Sequence, residues 1–338
     1  MDATRGPMRA QQRPIERMPA IICTDIGHDP GDLLALILAA AALPLRLVVT
    51  SDEFGGGQRA RLARFLLNLC GRTGVVVVAG AEIEGAQARW VCDGLVPAGF
   101  PPASAPVTGS VVDAVRAVLG ETGRAVWIGQ GPLSNLARLY TAAPGLARRL
   151  MIMQTGGGLA HLYRRTDSAS HNLRTDPDSA RTVLTAPGLD VTLVTSDITF
   201  TPETAIDAGS ELYQLLATAN APKWAKLVAA GYDRWFARER SASMAAGPLT
   251  VTAAAGMGFV EFATQHVTVA PDARMYEDPN GVALPMSVAA NHAAFRAWAT
   301  TVVQHALEFG MRYDPALIGH RSGNTEPAAT GLAPSGIR

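Results

Sequence analysis

Cysteine is scarce and charge is thin. The 338 residues carry three cysteines, Cys23, Cys70 and Cys92, scattered and odd in number. That excludes an even disulfide framework and gives no cysteine metal-ligand spacing, so a reducing, cytoplasmic setting is the simpler expectation. Charged residues make up only 17%, and Lys+Arg and Asp+Glu stand at 29 each, for a formal net charge of zero. Nothing in that balance points to a nucleic-acid or membrane partner. No apolar run reaches the length of a membrane span; the longest oily stretch, Leu33 to Leu47, is broken by Pro44 and Arg46. The glycine clusters lack the spacing of a dinucleotide fingerprint, and no Lys-Ser/Thr follows them to make a Walker loop.

What is present is core material and order. Hydrophobic residues reach 48%, enough for a large interior. Residues 1–18 hold Arg5, Arg9, Arg13 and Arg17 with several prolines and no apolar centre, which reads as a disordered tail rather than a secretory signal. Residues 319–338, rich in Gly, Pro, Ser and Ala from Ser322 onward, read the same way. Between them, residues 19–318 are expected to form one α/β domain.

The densest chemistry lies in Ile21–Leu36. A short apolar run stops at Asp25, His28, Asp29 and Asp32, with Gly27 and Gly31 between them, then passes directly into an apolar helical pattern. This reads as a first strand feeding a helix, with three carboxylates crowded at the strand's carboxyl end. Like charges that close call for a cation or for substrate hydroxyls, and oxygen ligands favour a hard ion. The plainer alternative is a turn in which Asp29 caps the helix and Pro30-Gly31 makes the bend.

Further strand signals fall at 45–50, 75–79, 125–129, 151–154 and 191–195, with helical patterns at 31–42, 57–69, 110–119, 132–141 and 177–184. Continuous apolar strands separated by helices predict a doubly wound, mainly parallel sheet with helices on both faces. Ligands of such sheets sit beyond the carboxyl ends of the strands. The residues collected there are Asp25, Asp29 and Asp32, then Asp52-Glu53 before Gly55-Gly56-Gly57, then Gln130-Gly131-Pro132-Leu133-Ser134-Asn135, Thr155-Gly156-Gly157-Gly158 and Ser196-Asp197.

That ordered set resembles the nucleoside hydrolases, the calcium-dependent N-ribohydrolases. Asp25–Asp32 is similar to the family's opening acidic motif, Gly131–Ala137 to its Gly-Pro-Leu-Thr-Asn-Leu-Ala, Thr155-Gly156-Gly157 to its Met-Gly-Gly, and Asn172–Ala180 to its Asn-x-x-x-Asp-Pro-Glu-Ala-Ala. Ser196–Thr199 sits where the family has Asp-Val-Thr, and the likeness runs over roughly residues 19 to 310. The resemblance implies cleavage of an N-glycosidic bond. Asp25 with Asp29 or Asp32 would ligate Ca²⁺ and position or deprotonate the attacking water. The backbone carbonyl of Gln130 would be a further metal ligand. Asn172 would hold the ribose hydroxyls, and Asp176 would cap a helix. It also implies a small nucleoside-like substrate and a homo-oligomer, dimer or tetramer.

The departures are as specific as the matches. The family's adjacent Asp-Asp is split by Pro30-Gly31, Ser170 stands where a Glu precedes the sugar-binding Asn, and Asp52-Glu53 replaces a Gly-Asn pair. The late His-Asp-Pro-Leu or Trp-Asp-Pro-Leu segment reads Ala246-Gly247-Pro248-Leu249, with no side chain for the metal or the leaving base. Asp32, Glu53 and Thr155 are expected among the substrate contacts. So are His171, Tyr232 and Trp235, within two groups, His161/Tyr163/Arg164/His171 and Tyr232/Asp233/Arg234/Trp235/Arg238, that can bring compensating side chains. Besides hydrolysis of a nucleoside or related ribosyl compound, two readings stay open: the same fold repurposed for metal-free chemistry in specialised metabolism, and a non-catalytic nucleoside or ribose binder.

Overall fold

A computed structural model describes residues 18–101, 110–159 and 167–319. The tails expected at both ends fall, from residue 17 backward and residue 320 onward, outside the described residues. Strands β1 (Ala20–Thr24), β2 (Leu45–Thr50), β3 (Val76–Ala79), β4 (Ala125–Gly129), β5 (Leu150–Thr155) and β6 (Asp190–Val194) pair in parallel. Short β7 (Ala205–Asp207) and β8 (Ala242–Met244) form a separate antiparallel pair. Strands β9 (Val260–Val269), β10 (Met275–Glu277) and β11 (Val282–Ala290) complete the main sheet, whose nine strands run β10-β9-β11-β6-β5-β4-β1-β2-β3. Here β11 lies parallel to β6, while β9 and β10 turn back antiparallel along the edge.

Both faces of the sheet are covered. Along β1, Ala20 and Ile22 belong to one apolar core and Ile21 and Cys23 to the other, as the strand's alternation requires. Each face therefore buries its own set of side chains, which is why these strands read as unbroken apolar runs. The helix Pro30–Ala42 is buried along its whole length. It lies against the helix Ala246–Ala254, itself buried from Gly247 to Ala254, and against Lys223–Arg238. A helix that is apolar all round is a core helix, and this one carries the acidic end of β1 into the interior. All three cysteines are buried, and burial raises each thiol to about 12.

The sequence signals locate β1 through β6 and the intervening helices, whereas β9–β11 are additional. Strand β9 is exposed over most of its length and turns Glu261, Thr264 and His266 toward solvent, so it lacks the apolar continuity of the central strands.

Chain order reverses between β1 and β4: β1 leads outward to β2 and β3, and β4 leads the other way to β5 and β6. A crevice at that reversal, beyond the strands' carboxyl ends, is where such a sheet binds its ligand. Asp25 follows β1 and Gln130 follows β4, and the Gln130 amide donates to the Cys23 carbonyl at 2.7 Å. The fold thus brings the two loops together.

Candidate active site

The loop after β1 is built to hold carboxylates still. Gly27 has φ of +95°, and a Cβ there would lie 2.2 Å from a ring carbon of Trp90, so both the conformation and the space require glycine. Asp29 is the N-cap of the helix Pro30–Ala42: its Oδ1 accepts the Gly31 amide at 2.8 Å and the Ser243 hydroxyl at 2.5 Å. Pro30 at the first helical position leaves no amide unsatisfied there. Asp32 follows in the first turn and is buried. Behind the loop, the fully buried Arg59 donates to the carbonyls of Asp25 at 2.6 Å and Ile26 at 3.1 Å, and pairs with Asp52 at 2.9 Å. Arg89 grips the same Asp52 carboxylate from the other side.

The electrostatics separate the acids into different roles. Burial alone pushes Asp25 upward, but its hydrogen bond and charge interaction with His171, helped by Arg59 and His28, bring it down to about 2. Asp32 goes the other way, well above the ordinary carboxylate range, because burial and the charges of Asp25 and Asp29 disfavour a second anion. Asp25 is therefore the stronger acid of the pair, and Asp32 holds its proton more tightly. Burial raises Asp29 to about 6 against the pull of Ser243 and the Gly31 amide. His28 is lowered to about 4 by burial and by the neighbouring His171, so it is neutral at pH 7.

His171, first residue of the short helix His171–Arg174, places Nε2 3.4 Å from Asp25 Oδ2. Its ring centroid is 4.7 Å from that of His28, whose other neighbour is Trp235 at 5.9 Å. The indole N–H of Trp235 is fixed on the Ala242 carbonyl at 3.0 Å. Asn172 turns its amide onto the carbonyls of Gln130 at 2.7 Å and Thr155 at 3.1 Å. The Thr155 hydroxyl bonds that of Thr250 at 2.7 Å. These elements enclose a cavity of about 500 Å³, lined by Asp25, His28, Asp32, His171, Asn172 and Trp235 among others.

The structure thus brings Asp25, Asp29, Asp32, Gln130, Thr155, His171, Asn172 and Trp235 to one cavity. Two expected substrate contacts do not reach it. Glu53 is buried beneath the helix Gln58–Leu69, where it accepts the Thr50 hydroxyl and the amides of Arg59 and Ala60. A carboxylate at a helix N-terminus is well placed for the dipole, and that is its role here. Tyr232 is fully buried and packs on Tyr213 and Phe236. His161, Tyr163 and Arg164 lie outside the described residues. Sequence reasoning gave His28 and Ser243 no site role. His28 stood inside the acidic motif in plain view, whereas no local signal ties Ser243 to Asp29.

The comparisons with known proteins join this geometry to a family. The model of the inosine-uridine preferring nucleoside hydrolases matches residues 20–305. The chain belongs to that family. Among curated relatives, the pyrimidine-specific ribonucleoside hydrolase RihA of Salmonella typhimurium (strain LT2) is 29% identical over 193 residues, covering 54% of this chain and 61% of the relative. The chain thus spans about three fifths of the length of the curated relatives it matches. Among solved structures, the plant nucleoside hydrolase PpNRh1 superposes with a TM-score of 0.70 at 18% identity, covering 85% of this chain and 98% of its own. The inosine-uridine preferring nucleoside hydrolase of Bacillus anthracis gives 0.67 at 16%, covering 85% and 99%. At those identities the likeness establishes the fold. Among the described residues, no helix is long and apolar enough to cross a membrane.

Family membership raises calcium, and the expected late carboxylate is missing from the donors. Calcium takes about six to eight oxygens. Here Asp29 is engaged as a cap, the Gln130 carbonyl accepts Asn172, and Gly247 supplies no carboxylate. A Cβ on Gly247 would lie 3.2 Å from Asp32 Oδ1, which marks the spot a late carboxylate would fill. The carboxylates of Asp25 and Asp32, the second oxygen of Asp29 and the buried, unpartnered Oε1 of Gln130 remain. That set has one carboxylate fewer than the resemblance implies, so it would hold calcium more weakly.

Proposed function

We propose that this chain hydrolyses the N-glycosidic bond of a nucleoside or related ribosyl compound, with Asp25 as the base. The observation that carries this reading is geometric: Asp25 and Asp32 are buried together in the cavity at the crevice between β1 and β4, with His171 against Asp25. Asp25 takes a proton from water as the water oxygen bonds the anomeric carbon. The C–N bond breaks with its electron pair leaving on the base, which is protonated from solvent. The sugar carries oxocarbenium-like charge in the transition state, and a buried anion stabilises it. Trp235 offers aromatic surface for the departing base. Asp32 and Thr155 are the side chains assigned to the sugar.

The test is base release from a panel of purine and pyrimidine ribonucleosides, followed chromatographically with and without chelator and with Asp25→Asn in parallel. The expected result is base release that falls at least a thousandfold in the variant, a loss of about 4 kcal/mol in transition-state stabilisation. Release unchanged by Asp25→Asn overturns the assignment. A second reading, a nucleoside or ribose binder, is favoured by one observation: Ser170 and Gly247 stand where the family resemblance expects carboxylates. Saturable nucleoside binding without base release would establish it.

A further inference from the structure

The group left over from the hydrolytic reading is the pair of imidazoles. Asp25, His28 and His171 each offer one ligand atom, and these atoms all lie within 4.8 Å of one another. In a tetrahedral site with bonds of about 2.0–2.1 Å, neighbouring donors stand roughly 3.3–3.4 Å apart. The Asp25 Oδ2 to His171 Nε2 distance is already 3.4 Å. His171 Nε2 is buried and faces that carboxylate. His28 approaches from the same loop as Asp25, its ring tilted 52° to that of His171. An imidazole nitrogen aimed at an anion and flanked by a second imidazole is an arrangement that a cation completes.

We propose that this cavity binds a divalent transition metal, of the class of Zn²⁺ or Co²⁺, through Asp25, His28 and His171. The chemistry of the donors decides the class: imidazole suits zinc, cobalt, iron, nickel and copper, whereas calcium and magnesium need oxygen. The same chain that lacks a late carboxylate at Gly247 places two imidazoles beside the remaining anion. Three protein ligands facing a cavity leave a position open toward it, the pattern of reactive rather than structural zinc sites. The proposal uses the cavity but does not depend on nucleoside hydrolysis, because binding is read without any nucleoside.

The experiment titrates the full-length, chelator-stripped protein with Co²⁺, Zn²⁺ and Ca²⁺, by calorimetry and by the visible absorption of bound Co²⁺. One equivalent of Co²⁺ is expected to give the strong visible bands of a low-coordinate nitrogen–oxygen site. Zn²⁺ displaces it, and an equal concentration of Ca²⁺ does not. His28→Ala and His171→Ala each weaken Co²⁺ binding at least tenfold with unchanged far-ultraviolet circular dichroism. His305→Ala, remote from the cavity and beside Asp314, leaves binding intact. Three results overturn the proposal: no Co²⁺ binding by the parent chain, binding that survives both cavity substitutions, or displacement by Ca²⁺ at equal concentration. A chain that binds Co²⁺ as stated yet releases no base would leave the metal site standing and remove only the hydrolytic reading.

Discussion

The side-chain amide of Asn172 donates to the backbone carbonyl of Gln130 at 2.7 Å, and the same nitrogen reaches the Thr155 carbonyl at 3.1 Å. One side chain thereby ties the ends of β4 and β5 together at the cavity floor. Asn172→Ala leaves two buried carbonyls short of a donor and is expected to cost about 1–3 kcal/mol. Urea unfolding measures it; a change under about 0.5 kcal/mol would mean that water replaces the amide at no cost.

A buried ion cluster holds the acidic loop from behind. Arg59→Leu removes the partner of Asp52 and the donor to the Asp25 and Ile26 carbonyls. Breaking a buried pair from one side costs about 3–5 kcal/mol. Arg89→Leu should cost less, since Arg89 is partly exposed and touches no atom of the Asp25 loop among its described bonds. Equal losses in thermal or urea unfolding would contradict this ranking.

Restoring a carboxylate at the late motif is a gain-of-function test. Gly247→Asp places a Cβ 3.2 Å from Asp32 Oδ1 and 3.4 Å from Gln130 Cδ. Without metal, a further buried acid beside Asp32 should lower stability. With Ca²⁺ present, affinity is expected to rise at least tenfold, about 1.4 kcal/mol. Calorimetry reports the gain, and a variant indifferent to Ca²⁺ would show that ligand number is not what limits the site.

The pH dependence of stability isolates His28. An unfolded histidine titrates near pH ~6.5. In the native protein, burial and His171 hold His28 at about 4. Between those values the unfolded chain binds a proton that the native chain refuses, so this contribution falls as pH drops from about 6.5 to about 4. Asp29 runs opposite: raised to about 6, it stabilises most below its ordinary value and loses that contribution as pH rises through about 6. His28→Asn removes only the first effect. Measured by urea unfolding with chelator, the variant should gain on the parent steadily as pH falls toward about 4.5. A difference constant with pH would show that His28 does not titrate in this way.

How much of this could be read from the sequence depends on the range of the interactions involved. The strands β1 to β6 announce themselves because burial on both faces makes each an unbroken apolar run. Asp29 as a cap was the plainer of two local readings, and Gly31 and Pro30 were already beside it in the chain. The strands β9 to β11 were not legible: β9 is exposed and carries polar side chains like those of a loop, and the apolar run of β11 is interrupted by Pro285. Nor was the fate of Glu53. Its place after β2 aimed it at the active edge, but the helix amides of Arg59 and Ala60 lie closer than the cavity does. The orientation of Asn172 and the approach of His171 to Asp25 depend on packing between segments far apart in the chain, and no spacing encodes that.

The three buried thiols have one more consequence. Held near 12 and away from solvent, Cys23, Cys70 and Cys92 are almost wholly un-ionised at neutral pH, and only the thiolate attacks an alkylating reagent. Labelling of each is then gated by the opening of the element that covers it: β1 for Cys23, the end of the helix Gln58–Leu69 for Cys70, and the segment beside Trp90 for Cys92. The chain carries three built-in reporters of local unfolding, and the one on β1 clocks the strand that delivers Asp25.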